Sequence, residues 1–133
     1  MADVASDVLR KLGFRVGLRT HIVGLPEDLA PLFAPALRDR GLPPDWTLIF
    51  APDKAALDQA AREDVARYTR GGHLWVAYPK QSSGIATDIT RDRGWEAFDA
   101  LDLHGVSQIS VSPVWSALRF RYRDEIRSFT RKF

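Results

Sequence analysis

The 133-residue sequence contains no cysteine. This absence excludes disulfides, thiol nucleophiles and cysteine-ligated zinc within these residues. No apolar run approaches the roughly 20 residues that a membrane-spanning helix needs. The opening residues, MADVASDVLRKLG, also lack the long apolar core of a signal peptide. We therefore expect a cytoplasmic protein without a membrane segment.

Motifs that identify common enzyme classes are absent as well. The sequence has no G-x-S-x-G elbow, no phosphate-binding P-loop and no G-x-G-x-x-G dinucleotide motif. The three histidines, His21, His73 and His104, do not occur at metal-ligand spacing. No carboxylate in the sequence is uniquely placed to orient one of them as a catalytic base. We predict no metal, no cofactor and no catalytic residue, and we favour a protein that is not an enzyme.

The composition is that of a folded globular protein. Apolar residues make up 45% of the chain, and four Trp, seven Phe and three Tyr supply bulky core material. A chain of this length buries about two-thirds of its unfolded surface, which is enough for a stable core. The sequence therefore predicts one α/β domain over residues 1–133.

The net charge of +2 is unevenly distributed. Residues 119–133 hold six basic and two acidic groups, a net charge of +4, whereas the other 118 residues hold 13 basic and 15 acidic groups. A broad basic surface for nucleic acid is therefore not predicted. The basic character is confined to a tail that starts at about residue 122.

Hydrophobic patterning predicts alternating helices and strands. The apolar residues within 2–14 and 53–70 have helical spacing, and Asp53 can cap the second of these helices. Residues 27–40 predict a short or broken helix because Pro31 and Pro35 interrupt it. Apolar runs predict strands at about 19–24, 45–52 and 73–79. Residues 87–105 predict a further helix capped by Thr87 or Asp88, with an inner face of Trp95, Phe98 and Leu101, and His104 and Gly105 at its end.

The last two predicted strands, 106–112 and 116–122, are too close in sequence for a crossover helix. They therefore form an antiparallel hairpin. The overall pattern predicts an α/β fold with a mostly parallel five-stranded sheet and helices on both faces. The four tryptophans lie in or beside apolar elements, so we expect them in the core.

The segments DWTLIFAP, YTRGGHLWVAYPK and ALDLHGVSQISVSPVWSALRFR resemble the C-terminal half of a Rossmann-like S-adenosylmethionine-dependent methyltransferase. The resemblance implies a three-layer sandwich with strand order 1-2-3-5-4 and an antiparallel fifth strand. The loop after the first strand, VGLPEDLA, departs from that family because it lacks the glycines that let backbone approach the cofactor. A second strand ending in a ribose-binding acid is also missing. We expect a shortened scaffold that does not bind the cofactor.

A second resemblance is to an uncharacterised bacterial family, a domain of unknown function. It is carried by LWVAYPK, SSGIATDITRDRGW and VSPVWSALRFR. This resemblance covers most of residues 8–122 and implies no activity.

The loop after the third predicted strand, YPKQSSGIATD, is the candidate ligand site. A loop that follows a strand and leads into a helix N-terminus can hold an anion. Such a site would bind a phosphate or carboxylate through five residues: Lys80, Ser82, Ser83, Gly84 and Thr87. The alternative is that the serines form a turn, Lys80 is solvated and Asp88 caps the helix.

The tail YRDEIRSFTRKF has an aromatic stripe at helical spacing: Tyr122, Ile126, Phe129 and Phe133. We predict that it is a helix that buries this stripe on its own domain or on a second subunit as a homodimer. Two classes of function stay open. The first is a non-catalytic binding or interaction module, and the second is an enzyme or binder of a small anionic ligand that uses the loop at Lys80.

Overall fold

The computed structural model of the protein describes residues 4–126, with side chains from residue 7 onward. The helices and strands occur in the predicted order: α1 Val4–Lys11, β1 Thr20–Val23, β2 Trp46–Phe50, α2 Lys54–Glu63, β3 His73–Pro79, α3 Glu96–Ala100, β4 Leu103–Ser110 and β5 Trp115–Tyr122. Between β1 and β2 the chain forms two short 3-10 turns, Glu27–Leu29 and Ala34–Leu37. This confirms the broken helix that the two prolines predict. Within residues 4–126, no helix combines the length and apolarity needed to span a membrane.

The five strands form one sheet in the order β1-β2-β3-β5-β4. β1, β2 and β3 run parallel, and β5 is antiparallel to both β3 and β4. Although β5 follows β4 in sequence, it lies between β3 and β4. The predicted Rossmann-like sandwich and its C-terminal hairpin are therefore confirmed.

Each face of the sheet has its own apolar core. Side chains alternate along each strand, so Leu48 of β2 packs beneath α1 while Ile49 packs beneath α2 and α3. All four tryptophans are at most 9% exposed, which confirms that they are core residues. The indole of Trp46 also donates a hydrogen bond of 2.7 Å to the Leu12 carbonyl, which holds the end of α1 against β2.

The last helix is much shorter than the pattern predicts. α3 covers only Glu96–Ala100, so Thr87 and Asp88 do not cap it. Gly94 has a φ of +96°, a left-handed conformation that interrupts helical backbone. The chain before it is irregular and contains only an isolated bridge between Thr90 and Arg93.

Three other details of this helix prediction are wrong. Phe98 is buried as expected, but Leu101 follows the helix and is 40% exposed. His104 and Gly105 belong to β4 and not to a helix end. The reason is Asp102, whose left-handed φ of 63° turns the chain directly from α3 into the strand.

Candidate functional site

The carboxyl ends of β1 and β2 are filled by the protein's own side chains. Phe33, from the segment after β1, packs edge-to-face on Phe50 with ring centroids 5.8 Å apart. Phe50 packs in the same manner on Trp115 at 5.2 Å. In open α/β sheets this position is where ligands bind. The three rings belong to the buried core on the α1 face of the sheet.

The single glycine of the loop after β1 has a structural role. Gly24 has a φ of +71°, and a Cβ there would lie 2.8 Å from the Phe50 carbonyl oxygen. The glycine therefore permits close contact between the loop and β2. The neighbouring Leu25 packs against the α1-side core.

Polar side chains at the carboxyl end of β3 line a cavity of about 470 Å³. Lys80 and Ser82, two of the five predicted ligand residues, belong to its wall. The other wall residues are Tyr78, Gln81, Thr90, Arg91, Asp92, Gln108 and Ser116. The Lys80 ammonium donates a hydrogen bond of 2.6 Å to Ser110 Oγ, which holds it beside the end of β4.

The other predicted ligand residues act in turns. The Ser83 hydroxyl accepts a hydrogen bond from the Ile85 N–H at 3.1 Å, and the Thr87 hydroxyl accepts one from the Ile89 N–H at 3.2 Å. Gly84 has a φ of +82°, as a turn between these residues requires. These three residues are outside the wall of the cavity.

The predicted contribution of a helix N-terminus to this site is wrong. No helix begins at Thr87 or Asp88, because α3 starts only at Glu96. The Asp88 carboxylate instead accepts a hydrogen bond of 2.7 Å from the Lys54 N–H, at the start of α2. The N-terminus of α3 therefore adds no free N–H groups to this loop. Anion binding by Lys80 and Ser82 stays a prediction.

A second cavity, of about 560 Å³, shares Arg91, Asp92 and Gln108 with the first. We call the two together the β4–β5 groove. Gln108 Nε2 donates a hydrogen bond of 3.0 Å to the Tyr78 hydroxyl, and burial raises the pKa of that phenol. The groove thus places two cations, Lys80 and Arg91, near neutral donors and near Asp92, whose Oδ1 lies 3.8 Å from Arg91 Nε. Arg91 was missed because the sequence pattern places it within the predicted helix of residues 87–105.

A histidine–carboxylate pair joins β1 to the end of α2. His21 Nε2 lies 2.9 Å from Asp64 Oδ1, and Asp64 is 9% exposed. Such a pair can orient a catalytic base. However, the hydroxyl residue opposite His21 in the sheet, Thr47, is 1% exposed and closed to a substrate. The pair links β1 to the end of α2, and it was missed in the sequence because its members are 43 positions apart.

Metal binding gains no support from the part of the chain that the structure describes. Within it, no three His, Asp or Glu residues form a group that could hold a metal ion.

The start of the C-terminal tail is a strand end followed by a turn. Tyr122 is the last residue of β5, where it pairs with Leu103, so the prediction that a helix begins at Tyr122 is wrong. Arg123–Glu125 forms one 3-10 turn, and Ile126 is half-buried. The rest of the predicted stripe, Phe129 and Phe133, lies outside the described residues.

Glu125 fixes this turn to the connection between α2 and β3. Its carboxylate accepts hydrogen bonds from the Gly71 N–H at 2.7 Å, the Tyr122 N–H at 2.8 Å and the Tyr68 hydroxyl at 3.1 Å. Burial acts to raise the pKa of Glu125, but these donors outweigh it and lower the pKa. The same contact and burial raise the pKa of Tyr68 to about 12, with burial the larger cause.

Solved structures with a similar fold include the following two proteins. One is a protein of the NADB-Rossmann superfamily from Streptococcus agalactiae, with a TM-score of 0.52 over 92% of this chain and 68% of that one, at 10% identity. The other is the tRNA methyltransferase TrmK from B. subtilis, with a TM-score of 0.51 over 94% of this chain and 68% of that one, at 11% identity.

No family model and no curated protein matches the sequence. The resemblance to the uncharacterised bacterial family therefore stays a prediction. The chain has a Rossmann-like α/β fold that it shares with a methyltransferase at very low sequence identity.

Proposed function

We propose that the chain is a non-catalytic, cytoplasmic binding or interaction module built on a methyltransferase-like sheet. The observation that carries the proposal is the row of rings formed by Phe33, Phe50 and Trp115 at the carboxyl ends of β1 and β2. A nucleotide-type cofactor needs open space and close backbone approach at this position. Here aromatic side chains fill the space, and the loop's single glycine serves contact with β2.

Titration calorimetry with S-adenosylmethionine tests this proposal. We expect no binding and no change in melting temperature. A ligand present at about 100 times its Kd would add roughly 2.7 kcal/mol of stability, so a real site would be visible. A micromolar Kd would overturn the proposal and favour a methyltransferase. The same thermal assay with nucleotides and sugar phosphates extends the test to other small molecules.

A second candidate function rests on the β4–β5 groove. Lys80 and Arg91 are both in the wall of its smaller cavity, together with one carboxylate, Asp92, and the hydroxyl residues Tyr78, Ser82 and Ser116. Two cations beside several hydroxyl donors can bind a phosphate or carboxylate group. The alternative function is therefore the binding of a small anionic ligand, with the rest of the ligand extending over β4 and β5.

Anion-dependent stabilisation distinguishes the two candidates. If the groove binds anions, sulfate or phosphate should raise the melting temperature, and the double substitution Lys80→Ala with Ser82→Ala should abolish this response. Arg91→Ala should weaken it, whereas the matched control Arg93→Ala should not, because Arg93 is outside the wall. An unchanged response in the double variant would remove this loop as the site. No response in the wild-type protein would leave only the turn roles of the loop.

A further inference from the structure

Two arginines, Arg119 and Arg121, lie side by side on the α1 side of β5. Side chains alternate along a strand, and the neighbouring Leu118 and Phe120 pack in the core beneath α2 and α3. In the ladder between β3 and β5, Arg119 lies opposite Trp75, which belongs to the core on the α1 side. Both arginines are partly exposed. A ligand can therefore reach them from solvent on this face of the sheet.

A third arginine, Arg15, approaches the same place from the loop after α1. The His73 ring, at the start of β3, lies against Gly13 of that loop. Burial lowers the pKa of His73, and the charges of three arginines lower it further: Arg119, Arg15 and Arg121. All three guanidinium groups are thus close to one imidazole. We call these three residues the arginine cluster.

Several N–H donors at this place have no acceptor in the described part of the chain. Three of the five buried polar side-chain atoms without a hydrogen-bond partner there are Arg119 Nε, Arg121 Nε and Trp75 Nε1. Arg119 is held in position by its Nη2, which donates a hydrogen bond of 3.3 Å to the Gly72 carbonyl. Guanidinium and indole nitrogens can only donate, and a buried donor without an acceptor is destabilising. These donors therefore favour a ligand that is rich in acceptors.

Two carboxylates border the cluster, and both are bound by other groups. Glu125 is close enough to Arg121 to interact with its charge, but its carboxylate accepts hydrogen bonds from two N–H groups and a phenol. Asp102 pairs at 3.0 Å with His104, the ladder partner of Arg121. Among the described residues, no member of the arginine cluster forms an ion pair. The cluster therefore retains an excess of positive charge, which an anion would neutralise.

A phosphate group meets these requirements. At neutral pH it carries about two negative charges and three acceptor oxygens. Arginine forks match its geometry with paired hydrogen bonds. A nucleic acid would need a longer basic surface, and residues 1–118 hold 13 basic and 15 acidic groups. The compact cluster thus favours one phosphate group on a small molecule.

We propose that the arginine cluster binds the phosphate group of a small molecule. The phosphate oxygens accept hydrogen bonds from Arg119 and Arg121, and Arg15 adds its charge from the loop after α1. This site lies on the opposite face of β5 from the β4–β5 groove, which is lined by Leu118 and Phe120. The inference goes beyond the proposed function and does not rest on it.

A phosphate titration followed by proton–nitrogen correlation NMR tests the proposal, because arginine Nε–H groups give their own signals. Inorganic phosphate is added to the full chain at constant ionic strength, with chloride as the control anion. We expect the Nε–H signals of Arg119 and Arg121 to shift and to saturate with phosphate but not with chloride. The Arg91 signal reports separately on the β4–β5 groove. Shifts at the first two residues that never saturate, or that chloride reproduces, would overturn the proposal.

A matched pair of variants separates the site from general electrostatic attraction. Arg15 is exposed, so Arg15→Gln should fold normally, and it should weaken phosphate binding about tenfold, which equals about 1.4 kcal/mol. The control Arg10→Gln changes the net charge equally but removes a side chain that pairs with Asp7. It should leave the affinity unchanged. An equal loss in both variants would contradict a specific site.

The source of the phosphate group is tested with two further ligands. Glycerol phosphate, a simple monoester, should shift and saturate the same two Nε–H signals. A single-stranded oligonucleotide should bind no more tightly than this monoester at physiological salt. Much tighter binding of the oligonucleotide, with saturation at Arg119 and Arg121, would assign the cluster to nucleic acid and overturn the proposal.

Discussion

His73 should make the stability of the protein fall between pH 6.5 and pH 4. The residue begins β3, and its ring lies against Gly13, where an added Cβ would be 2.4 Å from His73 Nε2. Burial, followed by the charges of Arg119, Arg15 and Arg121, lowers the pKa of His73 from its ordinary value of 6.5 to about 4. A proton that binds readily in the unfolded chain is therefore bound poorly in the folded one.

The sign and size of the effect follow from this difference. Because the folded-state pKa is the lower one, the stability contributed by neutral His73 is complete above about pH 6.5. It decreases as the pH falls and is lost below about 4. Without solvent screening, a fall in the pKa from 6.5 to about 4 would correspond to about 3 kcal/mol in the free energy of unfolding. The ring is only partly buried, so solvent screening reduces the expected value to about 1.5 kcal/mol.

Urea unfolding at several pH values between 7.5 and 4 measures this contribution. His73→Gln cannot titrate, so the stability difference between wild type and variant should change by about 1.5 kcal/mol over this range. Carboxylates titrate in both proteins and largely cancel in the difference. Arg15→Ala removes one exposed neighbouring charge and should raise the titration midpoint of His73 by NMR. A constant difference, or a His73 midpoint near 6.5 in the folded wild type, would refute the reasoning.

Three other predictions concern a helix cap, a turn and a half-buried phenol. Asp53→Ala removes the side chain that accepts a hydrogen bond from the Ala56 N–H at the start of α2. It should lower the free energy of unfolding, measured in urea, by about 1 kcal/mol. Gly13→Ala should lower the free energy of unfolding by more than about 1–2 kcal/mol, because Gly13 has a φ of +78° and an added methyl would collide with the His73 ring. An unchanged midpoint of urea unfolding would contradict this geometry. Tyr68 has a raised pKa of about 12, so wild type should lose stability from pH 10 upward, and Tyr68→Phe should lack that part of the loss.

The strands and the core could be predicted because local signals were strong, whereas the strand order 1-2-3-5-4 came from the resemblance to the methyltransferase scaffold. β2 and β3 are continuous apolar runs, which are typical of strands buried on both faces. The short connection between β4 and β5 permits only an antiparallel pair. Asp53 also caps α2 as predicted, because its carboxylate accepts the Ala56 N–H that the first helical turn leaves unpaired.

The candidate sites were less accessible to sequence reasoning because irregular backbone and long-range contacts create them. The pattern over residues 87–105 resembles a helix, but Gly94 breaks it and leaves Arg91 in the wall of a cavity. His21 and Asp64 meet only after β1 and α2 have packed. Leu101 has helical spacing with Phe98, yet the helix ends one residue before it. Its exposure beside α2 could be recognised only in three dimensions.

The position of β5 in the sheet has a consequence for the order of folding during synthesis. β4 has β5 as its hydrogen-bonded neighbour, and the other side of β5 pairs with β3. When β4 leaves the ribosome, its partner has not yet been translated, and β3 still presents an unpaired edge. A nascent chain stopped before Tyr122 therefore exposes strand edges that can pair with other chains. Slow codons or stalling in the segment that encodes β5 should accordingly favour aggregation more than stalling in the segment that encodes β1.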